Sequence, residues 1–214
     1  MRSCPFDLEH YRELIEAARA GGYRFASFDS TPRAGDVLLR HDVDLSLEAA
    51  LAMAELEVEL EAPTTYFLMT RSEFYNLDAP SGEAAIERLR RLGHRVGLHA
   101  VYPDSAHDPR FDPVLAWHNP DPDYMTAPVE RFVNAMQPGF FDSDHYRSDS
   151  NQRWREGCPH ESLARGDFEW LQLLIHPEIW VYPGETMRDT MLALLEAEHE
   201  LRLGQLEADH IDLT

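Results

Sequence analysis

The chain has 214 residues, 39 acidic side chains against 19 basic ones and a formal charge of −20 at pH 7, a length that suits one domain able to bury about 70% of the surface its unfolded chain exposes. Its hydrophobic fraction of 43% and charged fraction of 27% exclude a disordered or collagenous chain, and no apolar run approaches the ~20 residues of a bilayer-spanning helix. All 19 basic residues are arginines, which excludes a Schiff-base lysine, a P-loop lysine and a Ser-x-x-Lys pair, while the negative charge opposes a nucleic-acid partner.

The first predicted element is a helix: Leu8, Tyr11, Leu14, Ile15 and Ala18 recur at helical spacing behind the candidate cap Asp7, and Gly21-Gly22 stops them. The same stretch carries Asp7, Glu9 and Glu13 and lacks the basic flank and apolar core of a secretory signal, so a cytoplasmic location and no membrane partner are expected. Val37-Leu38-Leu39 reads as a short buried strand, Ser46 to Glu61 as a helix, and Thr64 to Met69 as a second strand rich in β-branched and aromatic residues. Ser81 can cap a helix that bears Ile86, Leu89 and Leu92 and ends at Gly93, and Val96-Gly97-Leu98 makes a third strand.

Farther along, Pro113 to Trp117 reads as extended, Ala127 to Met136 as helical, Leu171 to Ile175 as a strand and Glu185 to Leu206 as a long amphipathic helix. Strands alternating with helices predict an α/β fold with a mainly parallel sheet, and periodicity leaves both an open sheet and a barrel as alternatives. The stretches Tyr102 to Asp123 and Pro138 to Pro159 read as long functional loops inside a single domain spanning 1–214. Cys4 and Cys158 stand apart from each other and from any Cys-x-x-Cys spacing, so neither a disulfide framework nor a thiolate zinc site is indicated.

Ionisable residues collect at strand ends. Val37-Leu38-Leu39 runs directly into Arg40-His41-Asp42-Val43-Asp44, and in extended backbone Asp42 and Asp44 point to the same side. Two carboxylates that converge need a cation or a shared proton between them; alternatively, one caps the following helix while the other faces solvent. His99, His118 and His176 each follow a predicted strand. Together with Asp42 and Asp44 they would face one rim of a parallel sheet, and imidazole plus carboxylate is the ligand set that zinc and similar divalent ions prefer. His10, His107, His145, His160, His199 and His210 lack that context and read as surface residues.

From about Asp36 to Tyr182 the chain resembles the polysaccharide deacetylase family, the metal-dependent carbohydrate N- and O-deacetylases, and in particular a branch with a His-Asp-Val-Asp first motif. The resemblance rests on Leu39-Arg40-His41-Asp42-Val43-Asp44, Gly93-His94-Arg95-Val96-Gly97-Leu98-His99, Tyr146-Arg147-Ser148-Asp149-Ser150 and Leu174-Ile175-His176-Pro177, in the family's motif order. It implies a distorted, incomplete (β/α) barrel with fewer than eight mainly parallel strands and one divalent metal ion, zinc in the first place, at its mouth. It also implies Asp42 as base, Asp44 as metal aspartate, His99 as first metal histidine and His176 as acid. Arg147 is expected to orient Asp42, and Asp149 to hold a neighbouring histidine or arginine.

Two positions depart from the family pattern. Val43 separates the two aspartates, so that base and ligand can be exchanged, and Pro103 stands where the second metal histidine is found. Proline cannot coordinate. Because two protein ligands hold a zinc-like ion too weakly, His118 is expected to supply the third, with Asn119 as its hydrogen-bond partner, ahead of Asp104 and His107. Trp117, Trp154, Trp180 and Tyr182 are candidate platforms for a sugar ring. The expected activity is hydrolytic removal of an acetyl or similar acyl group from an N-acetylated sugar or sugar conjugate, the substrate being a small molecule or oligosaccharide. The alternatives are hydrolysis of a small non-carbohydrate amide and a degenerate barrel that binds without turnover.

Overall fold

Side chains that alternate between two buried faces in the strands, and apolar stripes on the helices between them, assemble a wall of parallel strands with helices outside. The computed structural model describes residues 4–102 and 108–212. In chain order the elements are α1 (Leu8–Ala20), β1 (Arg24–Ala26), β2 (Asp36–Val43), α2 (Leu47–Glu59), β3 (Thr65–Leu68), α3 (Pro80–Arg91), β4 (Arg95–Ala100), β5 (Val114–Trp117), α4 (Pro122–Met125), β6 (Val133–Asn134), β7 (Tyr146–Ser148), α5 (His160–Arg165), β8 (Leu171–Ile175), α6 (Pro177–Val181) and α7 (Met187–Ala208). No helix among the described residues is long and apolar enough to cross a membrane.

Seven strands lie side by side in the order β6-β5-β4-β3-β2-β8-β7 and all their pairings are parallel. This is the sequential order of a (β/α) barrel left open between β6 and β7. The short β1 pairs with the first residues of β2, on the flank that β3 occupies farther along. An incomplete barrel with fewer than eight strands in its wall, the architecture expected from the resemblance, is therefore what the chain forms.

Burial on both faces accounts for the continuous apolar runs of β2, β3, β5 and β8. Outward residues such as Val37, Leu39, Leu173 and Ile175 pack beneath α1 and α6, and Tyr66, Leu68, Val96, Leu98 and Leu115 pack beneath α2 and α3. Inward residues Leu38, Phe67, Val114 and Ala116 join Phe28, Ala135 and Phe140 in an apolar plug. Gly97 belongs to that interior: a Cβ there would stand 2.7 Å from the Phe67 ring and 3.0 Å from Val114, so the plug needs its missing side chain. Above the plug the same strands turn polar, and Arg40, Asp42 and Gln172 are buried.

Three expectations are corrected. The helix expected from Ser81 starts at Pro80, with Ala79 as a cap that makes no side-chain bond. The segment Ala127 to Met136 is not helical: Asn134 Nδ2 donates to the carbonyls of Met125 and Ala127, and Val133-Asn134 joins the sheet beside β5. These partners, and the β5 edge above all, lie outside the three- and four-residue spacing of a helix, so local periodicity does not register them. Cys4, Cys158 and His10, read as unrelated, come together where α5 packs on α1, and His10 is buried.

Candidate metal centre

Strand direction carries the expected residues to one end of the barrel. On β2, Leu38, Arg40 and Asp42 point inward in sequence, and Asp44 continues the row just past the strand. Neither aspartate caps α2. Ser46 does, its hydroxyl accepting the Ala49 N–H at 3.1 Å. On β4, His99 is level with Ala116 of β5, and its Nδ1–H donates to the Ala116 carbonyl at 3.0 Å. That bond leaves the Nε2 lone pair facing the barrel mouth. His118 follows β5, its own N–H bound to the Ala100 carbonyl at 2.8 Å. Asn119, at φ 46°, then turns the chain away in a left-handed conformation that asparagine tolerates better than most residues.

These placements bring three ligand atoms into a small triangle. His99 Nε2 is 3.0 Å from Asp44 Oδ1, His118 Nδ1 is 3.2 Å from the same oxygen, and the two nitrogens are 3.1 Å apart. Atoms so spaced can all lie ~2.0–2.2 Å from one ion, the usual range for nitrogen and carboxylate ligands of zinc. The donor set fits as well: two imidazoles and a carboxylate converge, and the far nitrogen of each ring is held. His118 Nε2 lies 3.0 Å from Asn119 Nδ2, and turning that amide over brings its oxygen to the same place, where it accepts the ring N–H. Asp44, His99 and His118, the expected ligands, thus form a group that can hold a metal ion. Pro103, Asp104 and His107 lie outside the described residues.

Two further groups flank the triangle. On one side, Asp42 Oδ2 is 3.7 Å from His99 Nε2. Burial pushes the Asp42 carboxyl up, but the Arg40 guanidinium, and His99 beyond it, outweigh this and hold it below the usual carboxylate value. The Arg40 contact is two-pronged, Nε to Oδ1 at 2.8 Å and Nη2 to Oδ2 at 2.7 Å, and the guanidinium is fixed in turn by Gln172 and Met136 and by the Phe67 ring. On the other side, His176 Nε2 is 3.9 Å from Asp44 Oδ2. Its Nδ1 is gripped by Asp149 at 2.6 Å, and its backbone N–H also donates to that carboxylate at 3.0 Å. Burial disfavours the imidazolium, yet the Asp149 charge and hydrogen bond prevail and raise the His176 pKa to about 10. Trp180 Nε1 donates to Asp149 as well, at 2.7 Å, so this fully buried carboxylate has three donors.

Arg147 does not join the group. It alternates outward on β7, where its guanidinium meets the carbonyls of Ser143, Asp144 and Tyr146 and lies over Phe168. Arg40 makes the contact with Asp42 that was expected of Arg147. The period-two rule applied to Arg40, Asp42 and Asp44 contains this signal. Asp149, by contrast, holds a histidine as expected.

A cleft of about 370 Å³ opens beside the triangle, lined among others by Arg71, Glu73, Phe74, Asn119, His176 and Glu178. A smaller pocket of about 160 Å³ reaches Arg40, Asp42 and His99 from the other side. The first falls within the ~300–1,000 Å³ typical of small-molecule sites. Of the four expected aromatic platforms none lines this cleft, and Trp117 alone lines the smaller pocket. Trp117 is buried against Tyr124, Trp154 stacks on Phe6, Trp180 meets Phe6 edge-on, and Tyr182 hydrogen-bonds Ser46. The aromatic ring at the cleft is instead Phe74, 47% exposed.

Glu178 was also not foreseen. Two residues beyond His176, in the first turn of α6, it is buried with Oε2 unpartnered, and burial is the main cause that raises its pKa to about 8. Comparison of the chain with protein-family models, with curated proteins and with solved structures returned no match.

Proposed function

We propose that the chain is a metal-dependent hydrolase that removes an acetyl or similar acyl group from the nitrogen of an acylated sugar or sugar conjugate. The observation that carries this reading is the arrangement around the ligand triangle. A carboxylate held ionised by arginine stands 3.7 Å from His99, and an imidazolium held by a carboxylate stands 3.9 Å from Asp44. Base and acid therefore flank one ion site, as hydrolysis of an amide requires.

Asp44, His99 and His118 would hold the ion, zinc in the first place. A divalent ion in such a site supplies Lewis acidity, which lowers the pKa of water and polarises a carbonyl. Asp42 takes a proton from the attacking water while Arg40 keeps its carboxylate ionised and aimed. The water oxygen bonds to the acyl carbon, the carbon–nitrogen bond breaks, and His176 Nε2 gives its proton to the departing nitrogen. Amines leave poorly without that proton. Asp149 holds Nδ1–H and so directs the other ring nitrogen to the cleft. Arg71, Glu73 and Asn119 offer hydrogen-bonding groups and Phe74 a flat apolar face, a combination suited to a polyhydroxylated ring.

Acetate release from a panel of N-acetylated sugars, compared with amine or ammonia release from linear and cyclic amides, tests the reading. Zinc-dependent acetate release that chelation abolishes supports it. Turnover confined to non-carbohydrate amides replaces the substrate class, and saturable sugar binding without turnover replaces catalysis with binding.

A further inference from the structure

A second group with metal-ligand chemistry lies behind the barrel wall, on the far side of Trp180 from the candidate centre. Ligand atoms of Cys4, His10 and Cys158 all lie within 4.8 Å of one another, and His10 Nε2 is 3.3 Å from Cys158 Sγ. Three parts of the chain meet here. His10 sits in the first turn of α1, where Asp7 accepts its backbone N–H, Cys4 lies ahead of that helix, and Cys158 lies one residue before Pro159, the N-cap of α5.

The histidine is oriented as a ligand. Its Nδ1 is bound to the Glu13 carboxylate at 2.8 Å, which places the ring proton on Nδ1 and turns the Nε2 lone pair toward the sulfur. A carboxylate on the far nitrogen is the partner that metal-bound histidines usually have, because it fixes the tautomer and strengthens the donor. The ring is 97% buried, stacked against Trp180 with 6.2 Å between centroids and met edge-on by His160 at 5.6 Å. Phe6 and Trp154 complete an apolar surround. No disulfide joins Cys4 to Cys158.

We propose that Cys4, His10 and Cys158 form a second metal site, selective for a thiophilic divalent ion such as zinc. Two thiolates and one imidazole are a soft donor set, which zinc favours over magnesium or calcium. Three protein ligands leave one tetrahedral position for solvent. The ion ties the segment at Cys4 and the approach to α5 onto α1, and it rigidifies the packing around Trp180, whose indole N–H supports Asp149. The proposal does not rest on the hydrolase reading, because none of the site's ligands borders the cleft.

Cobalt(II) titration of the reduced chain separates the two centres, since a cysteinate-to-cobalt charge-transfer band in the near ultraviolet can arise only where sulfur ligates. The band is expected in the wild type, retained in His99→Ala and lost in Cys158→Ser, with one equivalent of bound metal lost alongside it. If Cys158→Ser does not fold, X-ray absorption of the zinc-loaded wild type decides instead, with sulfur at ~2.3 Å expected. A reduced wild type that shows no charge-transfer band, or zinc spectra without sulfur, overturns the proposal. So does a Cys4–Cys158 disulfide that forms in place of metal binding when zinc is present.

Discussion

Arg40 and Asp42, two residues apart on β2, meet inside the barrel in a two-pronged ion pair at 2.8 and 2.7 Å, with both side chains almost fully buried. Strand geometry makes the pair possible, because residues i and i+2 share a face. The guanidinium offers the carboxylate a rigid planar fork that a lysine cannot reproduce.

Asp42→Asn should therefore keep its metal and lose ~10²-fold or more in turnover, whereas Asp44→Asn should lose the metal. Elemental analysis of both variants beside rate measurements checks the division of roles. Metal that departs with Asp42 and stays in Asp44→Asn would exchange them. Arg40→Met, which strands a buried carboxylate, should cost ~3–5 kcal/mol of stability in denaturant titrations.

His118→Ala should abolish stoichiometric zinc binding, since it removes one corner of the ligand triangle. Asn119→Ala should act more gently, weakening zinc ~10–100-fold by freeing the far ring nitrogen of His118. Competition against a chelator of known affinity measures both. An unchanged affinity in His118→Ala would remove it from the ligand set.

His176→Ala and Asp149→Asn should slow amide hydrolysis far more than hydrolysis of an activated ester, whose leaving group needs no proton. With the His176 pKa raised to about 10 by Asp149 against the burial that opposes it, the acid is protonated throughout the neutral range. Amide turnover should accordingly fall on the alkaline side as pH rises through about 10, and in Asp149→Asn that limb should move to lower pH. Equal losses on amide and ester would exclude the acid role.

Glu57 anchors a buried network on the outer face of the barrel wall. It accepts from Tyr66 at 2.6 Å and Tyr11 at 2.5 Å and pairs with His41 at 2.6 Å. Burial pushes its carboxyl up, but the charge and hydrogen bond of His41 more than offset this and hold it below the ordinary value. Unfolded, the group titrates near ~4.3. Its stabilisation is thus complete above that pH and is lost as pH falls through the lower folded value. Glu57→Gln should cost ~3–5 kcal/mol at pH 7, and the gap to wild type should narrow on acidification. A gap independent of pH would show that the network does not depend on the charge.

Residue spacing carried the parallel sheet and the common rim of the site, whereas the incomplete barrel and the separate roles of the site residues came from the family resemblance. Alternation of strands and helices, read from apolar periodicity, specifies a parallel sheet. Parallel strands present their carboxyl ends on one side, so Asp42, Asp44, His99, His118 and His176 could be assigned to a common rim before any coordinates. The period of two likewise aligned Asp42 with Asp44, and it extends to Arg40. These are local rules, set by backbone geometry within a few residues.

What the tertiary structure decided depends on contacts between distant segments. Which strands adjoin determines that His99 and His118, on neighbouring β4 and β5, approach within 3.1 Å, while Arg147 on β7 faces outward toward Phe168. Val133-Asn134 became strand because β5 offered its edge, overriding the helical pattern of Ala127 to Met136. His10 and Cys158, 148 residues apart, meet only because α5 packs on α1. Local conformational preferences are weak beside the burial and hydrogen bonding that packing supplies. A group assembled from remote segments without a shared strand-end position, such as Cys4, His10 and Cys158, therefore leaves no spacing to read, and becomes visible only when the chain has closed on itself.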